Sequence, residues 1–330
     1  MSIRKDFIDF TSSFSGSLPL DVLCSLTGQD FIIPFYHIVG NEECPHLKYL
    51  YSFKDTKEFE KDIDYLAKHY QPVGADALPD ILAGKYKGKK IMLLTFDDGL
   101  RQMHEVVAPL LIKKGIPAVF FLNTDFIDNK ALMFRYKISL ALSNDYDKYY
   151  NLSYTQVRND ADINEHLITT LEGGRNGFNT IVNEFLQHYK PYMSSAQIRS
   201  LISQGFTIGA HSCNHPYYED LTLEQQLSQT FDCLGILQKD FGIKEKLFAF
   251  PFTDHGVSKT FFDKMFEHGK MDFSFGGAGI KKDIHPRQFQ RVPMEGWNAS
   301  AEQILKSEYL YYLLRAPFFK NKIKRDELGK

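Results

Sequence analysis

The stretch Ile91-Met-Leu-Leu-Thr-Phe-Asp-Asp-Gly99 restricts the fold of this chain more than any other. An apolar run broken only by Thr95 ends abruptly in two carboxylates and a glycine. A short apolar run bounded by a turn signal is the pattern of a strand buried on both faces, as in a parallel sheet. Barrels and open α/β sheets carry their chemistry at the carboxyl ends of such strands. Adjacent carboxylates repel, so burying both requires a cation or a proton beside them. Gly99 supplies a backbone conformation that a side chain would resist.

The flanking sequence alternates strand and helix patterns. Residues 31–39 (Phe-Ile-Ile-Pro-Phe-Tyr-His-Ile-Val) read as a first buried strand, and Ile116–Leu122 as a later one. Residues 55–69 place Phe59, Ile63 and Leu66 on one helical face; residues 102–114 do so with Met103, Val106, Val107, Leu110 and Leu111, ending at Gly115. This alternation predicts a parallel sheet or barrel. Residues 126–194 break the rhythm with weak periodicity, many Asn and Asp, and a turn-like Gly-Gly-Arg-Asn-Gly at 173–177. The expectation is a helical insertion that caps the barrel, within one domain spanning 1–330. The pattern resumes with a helix from Ser195, a strand into His211, and a helix over 222–240 opened by the capping box Thr222-Leu-Glu-Gln225. Strands follow at Leu247–Phe252 and Arg291–Glu295, and residues 300–330 read as a helical tail.

A second motif, His211-Ser-Cys-Asn-His215-Pro216, follows the strand-like Phe206–Ala210. One carboxylate and two imidazoles four residues apart form a ligand set with open coordination positions, suited to Zn²⁺ or a similar divalent ion. Such an ion acidifies water and polarises a carbonyl, which equips a site to hydrolyse an amide. Taken singly, Asp-Asp-Gly is a common turn and His-x-x-x-His a common surface pair. Joined in this order, each after a strand, Thr95-Phe-Asp-Asp-Gly99 and His211-Ser-x-x-His-Pro216 resemble the polysaccharide deacetylases, the NodB-homology group of carbohydrate esterases (family four). The resemblance implies a distorted (β/α) barrel. It also implies a metal-dependent hydrolase that removes N-acetyl groups from amino sugars of a glycan or glycan precursor. It makes Asp98, His211 and His215 the metal ligands and Asp97 the general base. The charges agree, because a metal on Asp98 relieves the repulsion and keeps Asp97 ionised.

Two departures from the family pattern bear on the site. The family's third motif corresponds to Phe250-Pro251-Phe252-Thr-Asp254-His255-Gly256, which keeps the Pro-aromatic pair that lines the groove but lacks its leading arginine. Phe252 is therefore a substrate-binding candidate, and Arg291, in Arg-Val-Pro, is the candidate for steadying the base. Many members take their general acid from a Leu-x-His segment, yet this chain has no histidine after His285, and Ile304-Leu-Lys-Ser-Glu-Tyr-Leu310 lacks the pattern. His255 in the groove loop is the first candidate. His37 is the second, because the first strand of a closed barrel neighbours the last. His285 is a weaker third, and a water or carboxylate the remaining option.

Composition narrows the partners. A formal net charge of −2 argues against a nucleic-acid partner, which would draw a basic excess. With 28 Phe and 18 Tyr, a saccharide-binding cleft has aromatic faces to draw on. Cys24, Cys44, Cys213 and Cys233 have spacings that match neither a metal knuckle nor a disulfide scaffold, and are expected to be reduced, with Cys213 in packing. Neither a signal-peptide core nor a transmembrane run is visible, so a cytoplasmic location and an intracellular saccharide precursor are expected. Residues 308–325 mix aromatic residues and leucines with Arg315, Lys320, Lys322, Lys324 and Arg325, raising peripheral contact with the inner membrane face beside simple packing on the barrel. Two rival functions remain at this level. A metal amidohydrolase for a small non-sugar amide would keep the ligands but close the pocket. A catalytically silent saccharide-binding protein would have no use for Asp97.

Overall fold

The computed structural model describes residues 3–15, 19–144, 157–170 and 174–327. Eight parallel strands form the barrel: β1 Pro34–Tyr36, β2 Leu94–Phe96, β3 Ala118–Leu122, β4 Thr207–Ala210, β5 Leu247–Ala249, β6 Phe273–Gly276, β7 Gln288–Gln290 and β8 Val292–Pro293. Their spatial order is β7-β6-β5-β4-β3-β2-β1-β8. The two edge strands are one continuous piece of chain, separated only by Arg291. β7 pairs with β6 (Phe289 beside Phe275) and β8 with β1 (Val292 beside Pro34). The Arg291 N–H donates to the Gly276 carbonyl (3.2 Å) and the Val292 N–H to that of Ile33 (2.8 Å). The sheet therefore nearly closes at Arg291. This is the expected (β/α) barrel of the deacetylase type.

Apolar side chains fill the strands on both faces, as a buried parallel sheet requires. On one face Tyr36, Phe96 and Phe120 stack in sequence, with centroids 5.9 and 5.1 Å apart, under the helix Thr56–His69. On the other face Ile33, Leu93, Val119, Phe121, Ala249 and Phe275 form a separate buried cluster. Gly209 is required in β4, because a Cβ there would stand 2.5 Å from the Phe121 ring. The helix Leu223–Phe241 has the expected capping box, with the Thr222 hydroxyl accepting from the Gln225 N–H. Among the described residues, no helix is long and apolar enough to cross a membrane.

Two details differ from the sequence expectation. The glycine-rich 174–177 segment opens the helix Gly174–His188 instead of forming a turn, while Gly173 lies outside the described residues. Buried Phe178, Val182, Phe185 and Leu186 dock that helix, and this packing outweighs the poor helix propensity of glycine. Among its described residues, the C-terminal tail is helical over Ala301–Arg315 and in a short turn at Ala316–Phe318. It then extends, and Lys322–Ile323 pairs with Lys282–Asp283. The Arg325 side chain is buried between Asp254 and Asp283 (2.5 Å to each) and over the Phe262 ring, so it is no part of a solvated basic face.

Candidate active site

The site forms where β1, β2, β4 and β8 end. Asp97 and Asp98 follow β2 directly, and the Asp97 N–H still pairs with the Tyr36 carbonyl (3.0 Å). The chain then turns through left-handed backbone at Asp98 (φ 68°) and Gly99 (φ 69°). His211 and His215 follow β4, and Asn123 at the end of β3 donates to the carbonyls of His211 and Ser212. Ser212 (φ 69°), His215 (φ 62°) and Phe252 (φ 53°) are also left-handed without being glycine. Each such residue costs about 1–2 kcal/mol, and strain of this kind gathers where function demands a geometry.

Three donors converge. Asp98 Oδ1 lies 3.4 Å from His211 Nε2 and 3.2 Å from His215 Nε2, and all three residues are buried. That oxygen has no hydrogen-bond partner, an expensive condition for a buried carboxylate unless a cation is its partner. His211 Nδ1 faces the Ala249 carbonyl at 2.8 Å, which places the proton on Nδ1 and leaves Nε2 as a lone pair. Burial is the largest influence on His215 and lowers its pKa, which favours the neutral ring. Although burial would raise it, the Asp98 carboxyl lies well below the usual carboxylate range and is an anion. Asp98 Oδ2 accepts from the Tyr136 hydroxyl at 2.6 Å. Burial and the Asp98 charge push the tyrosine pKa well above normal, so it remains a donor. This donor set fits a divalent ion and would hold it through Asp98 Oδ1 and the two Nε2 atoms.

Asp97 is clamped instead. Both its oxygens accept from Arg291, Nη1 to Oδ1 and Nη2 to Oδ2, each at 2.7 Å. The guanidinium is itself buried; its Nε donates to the Gly276 carbonyl, and its plane sits 4.4 Å from the Phe35 ring centroid. Burial would raise the Asp97 carboxyl, but the charge and hydrogen bonds of Arg291 outweigh it and keep the group ionised. The structure thus brings Arg291 directly onto Asp97.

A cavity of about 190 Å³ opens over these groups, lined also by His37, Tyr51, Met133, Arg135 and Phe252. His37 Nδ1 meets Glu295 Oε2 at 2.9 Å, and the same carboxylate accepts the N–H groups of His37 and Ile38. Burial favours the neutral ring, yet the Glu295 hydrogen bond and the charges of Asp98, Glu295 and Asp97 together push the His37 pKa up to about 9. His255, the first candidate for the acid, is corrected by the geometry. It lines a different cavity, its side chain is 67% exposed, and its ring faces Glu219 at 4.0 Å. His285 lies flat against Phe266 (centroids 4.3 Å apart), and burial lowers its pKa to about 4. Phe252 does border the site, edge-on to His215 (4.3 Å) and stacked on Tyr217 (4.0 Å). Cys213 contacts Gln229 and is not part of the lining. All four cysteines are free.

Sequence reasoning missed Tyr136 and Glu295. Glu295 could have been found, because it stands at the carboxyl end of the last strand pattern, the position that singled out Asp97 and Asp98. Tyr136 comes from the helix Phe134–Asn144, inside a stretch with no periodic signal.

The polysaccharide deacetylase family model matches residues 84–269, more than half of the chain, and the chain belongs to that family. It is thereby a hydrolase of the class that deacetylates glycans. No curated protein matches the sequence. Among solved structures, the fold is similar to the Streptococcus pyogenes deacetylase PplD in complex with acetate (TM-score 0.56, 13% identity, 84% of this chain and 97% of that chain). It is also similar to IcaB from Ammonifex degensii (TM-score 0.53, 18% identity, 86% and 98%). A de-N-acetylase from Aggregatibacter actinomycetemcomitans is a third such structure (TM-score 0.51, 16% identity, 82% and 95%). At these identities the likeness is one of fold.

The converging donors predict that purified protein carries about one divalent ion per chain. Elemental analysis of Asp98→Asn and His211→Ala should show that ion lost. Full occupancy in both variants would exclude this ligand set.

Proposed function

We propose that this protein removes an N-acetyl group from an amino sugar of a glycan or glycan precursor, with a divalent ion, Zn²⁺ by its ligand set, held by Asp98, His211 and His215. The observation that carries the reading is an unpartnered buried carboxylate oxygen facing two imidazole nitrogens, with a second, clamped carboxylate beside it. A bound ion of this kind polarises the amide carbonyl and acidifies water. Asp97, ionised and oriented by Arg291, takes the proton from the attacking water as its oxygen bonds to the acetyl carbon. His37, protonated through Glu295, gives its proton to the departing sugar nitrogen as the C–N bond breaks. Acetate and a free amine leave. Tyr136 holds Asp98 so that one oxygen serves the ion and the other the hydroxyl. The partly exposed aromatic rings of Tyr51 and Phe252 at the cavity support a saccharide over a small enclosed amide.

We also propose that the protein meets this substrate at the cytoplasmic membrane face. Leu314, Phe318 and Phe319 are 60–71% exposed, and the nearby Lys320, Lys322 and Lys324 are exposed as well. Apolar insertion beside basic side chains suits the anionic cytoplasmic leaflet, where each lysine contributes about 1 kcal/mol.

Asp97→Asn should keep its metal yet lose about 10²–10⁴-fold in acetate release, since the base acts on the water without holding the ion. Near wild-type turnover in a metal-loaded, folded sample would place the base elsewhere. The raised His37 pKa sets the alkaline side of the pH profile. The acid form is present below about 9 and lost as pH rises through that value. Glu295→Gln removes a cause of the rise, so the alkaline limb of kcat should move down by about one unit or more; an unmoved limb would remove His37 as the acid. For the membrane surface, sedimentation with anionic liposomes should weaken in Phe318→Ser/Phe319→Ser and at high salt. Equal partitioning of both proteins, or none, would leave these residues without a lipid role.

A further inference from the structure

A second cavity of about 400 Å³ adjoins the catalytic one. Gly277 lines both, and the loop that brings Phe252 to the first continues as Thr253–Val257 along the second. Its charges are unevenly matched. Arg4 is bound to Glu308 (Nε to Oε1, 2.6 Å) and also donates to the Gly277 carbonyl (3.1 Å). Arg325 is spent on Asp254 and Asp283. Lys281 and Lys324 remain, and of the two lining carboxylates Asp254 is already paired with Arg325, which leaves the exposed Asp326. Lys281 is partly buried, and among the described residues it makes neither a hydrogen bond nor an ion pair.

We infer that this cavity is a subsite for an anionic substituent, a carboxylate or phosphate, carried by the saccharide next to the N-acetyl sugar, and that the Lys281 ammonium is its principal contact. The inference rests on the saccharide reading of the catalytic cavity and names the charge class of its substrate. A partly desolvated ammonium with no carboxylate in direct contact is unfavourable, and an anionic ligand supplies that contact. The Lys281 pKa is lowered first by burial and then by the cations Arg315 and Arg4, which outweigh the opposing charges of Glu308 and Asp254, themselves paired with Arg4 and Arg325. A neutral sugar would leave that charge unanswered. A cationic, already deacetylated polymer would be repelled. The subsite therefore gives the enzyme a preference by charge that the metal centre, built for the amide, does not supply.

Direct binding separates this inference from the deacetylase reading, because it needs no turnover. Calorimetry on the metal-loaded enzyme would compare neutral di-N-acetylchitobiose with two charged analogues of equal length. One is a disaccharide pairing N-acetylhexosamine with a uronic acid; the other is di-N-acetylchitobiose 1-phosphate. At least one charged ligand should bind about tenfold more tightly than the neutral one, as expected for a charge-assisted hydrogen bond. The arm that shows the advantage identifies carboxylate or phosphate. Lys281→Gln should abolish the advantage, and Lys281→Arg should retain most of it. Equal affinities for all three ligands would overturn the subsite, as would an advantage that survives in folded Lys281→Gln. Acetate release by the same wild-type sample reports separately on the deacetylase reading.

Discussion

The ion pair between Asp97 and Arg291 joins the closure of the barrel to the charge state of its site. Arg291 is the single residue between the two edge strands; its backbone reaches β6 while its neighbour Val292 reaches the strand segment of β1. Its guanidinium enters the barrel, lies against Phe35 and meets both oxygens of Asp97. Removing one partner from so buried a pair typically costs about 3–5 kcal/mol, because the other charge is left stranded. The residue that closes the sheet therefore also keeps Asp97 ionised.

Two neighbouring carboxylates acquire different chemistry from their surroundings alone. Asp97 continues the direction of β2 and spends both oxygens on the arginine. Asp98, turned by its left-handed backbone, reaches two imidazoles and a tyrosine. The first is thereby fixed as an anion, while the second keeps one oxygen without a protein donor. A third carboxylate, Glu295, does the opposite work by holding a proton on His37. Asp97, Asp98 and His37 thus sit in three distinct local fields within one cavity.

The strands that carry Asp97, Asp98 and the two histidines were legible because buried parallel strands leave continuous apolar runs with sharp ends. The family resemblance then gave those ends roles, and Arg291 was reachable from its Arg-Val-Pro context. Which of His255, in the groove loop, and His37, at the end of the first strand, faces Asp97 and Asp98 was not legible, since that depends on how the barrel closes. Topology separates them: β8 pairs with β1, and the Met294 N–H donates to the Phe35 carbonyl at 3.0 Å, which brings Glu295 onto His37. The His255 ring turns outward instead. Tyr136 was invisible because its contact with Asp98 crosses from an aperiodic segment and depends wholly on how that helix docks. The glycines at 174–177 misled for the related reason that tertiary packing overrode local propensity.

The account stands on the convergence of Asp98, His211 and His215 around one ion. Anomalous diffraction from crystals equilibrated with Zn²⁺ tests it most directly. The predicted result is a single strong peak in contact with Asp98 Oδ1 and the Nε2 atoms of His211 and His215, at about 2.0–2.2 Å, with Asp97 still paired to Arg291. A peak held by other residues, or these three left without an ion at saturating zinc, would contradict it.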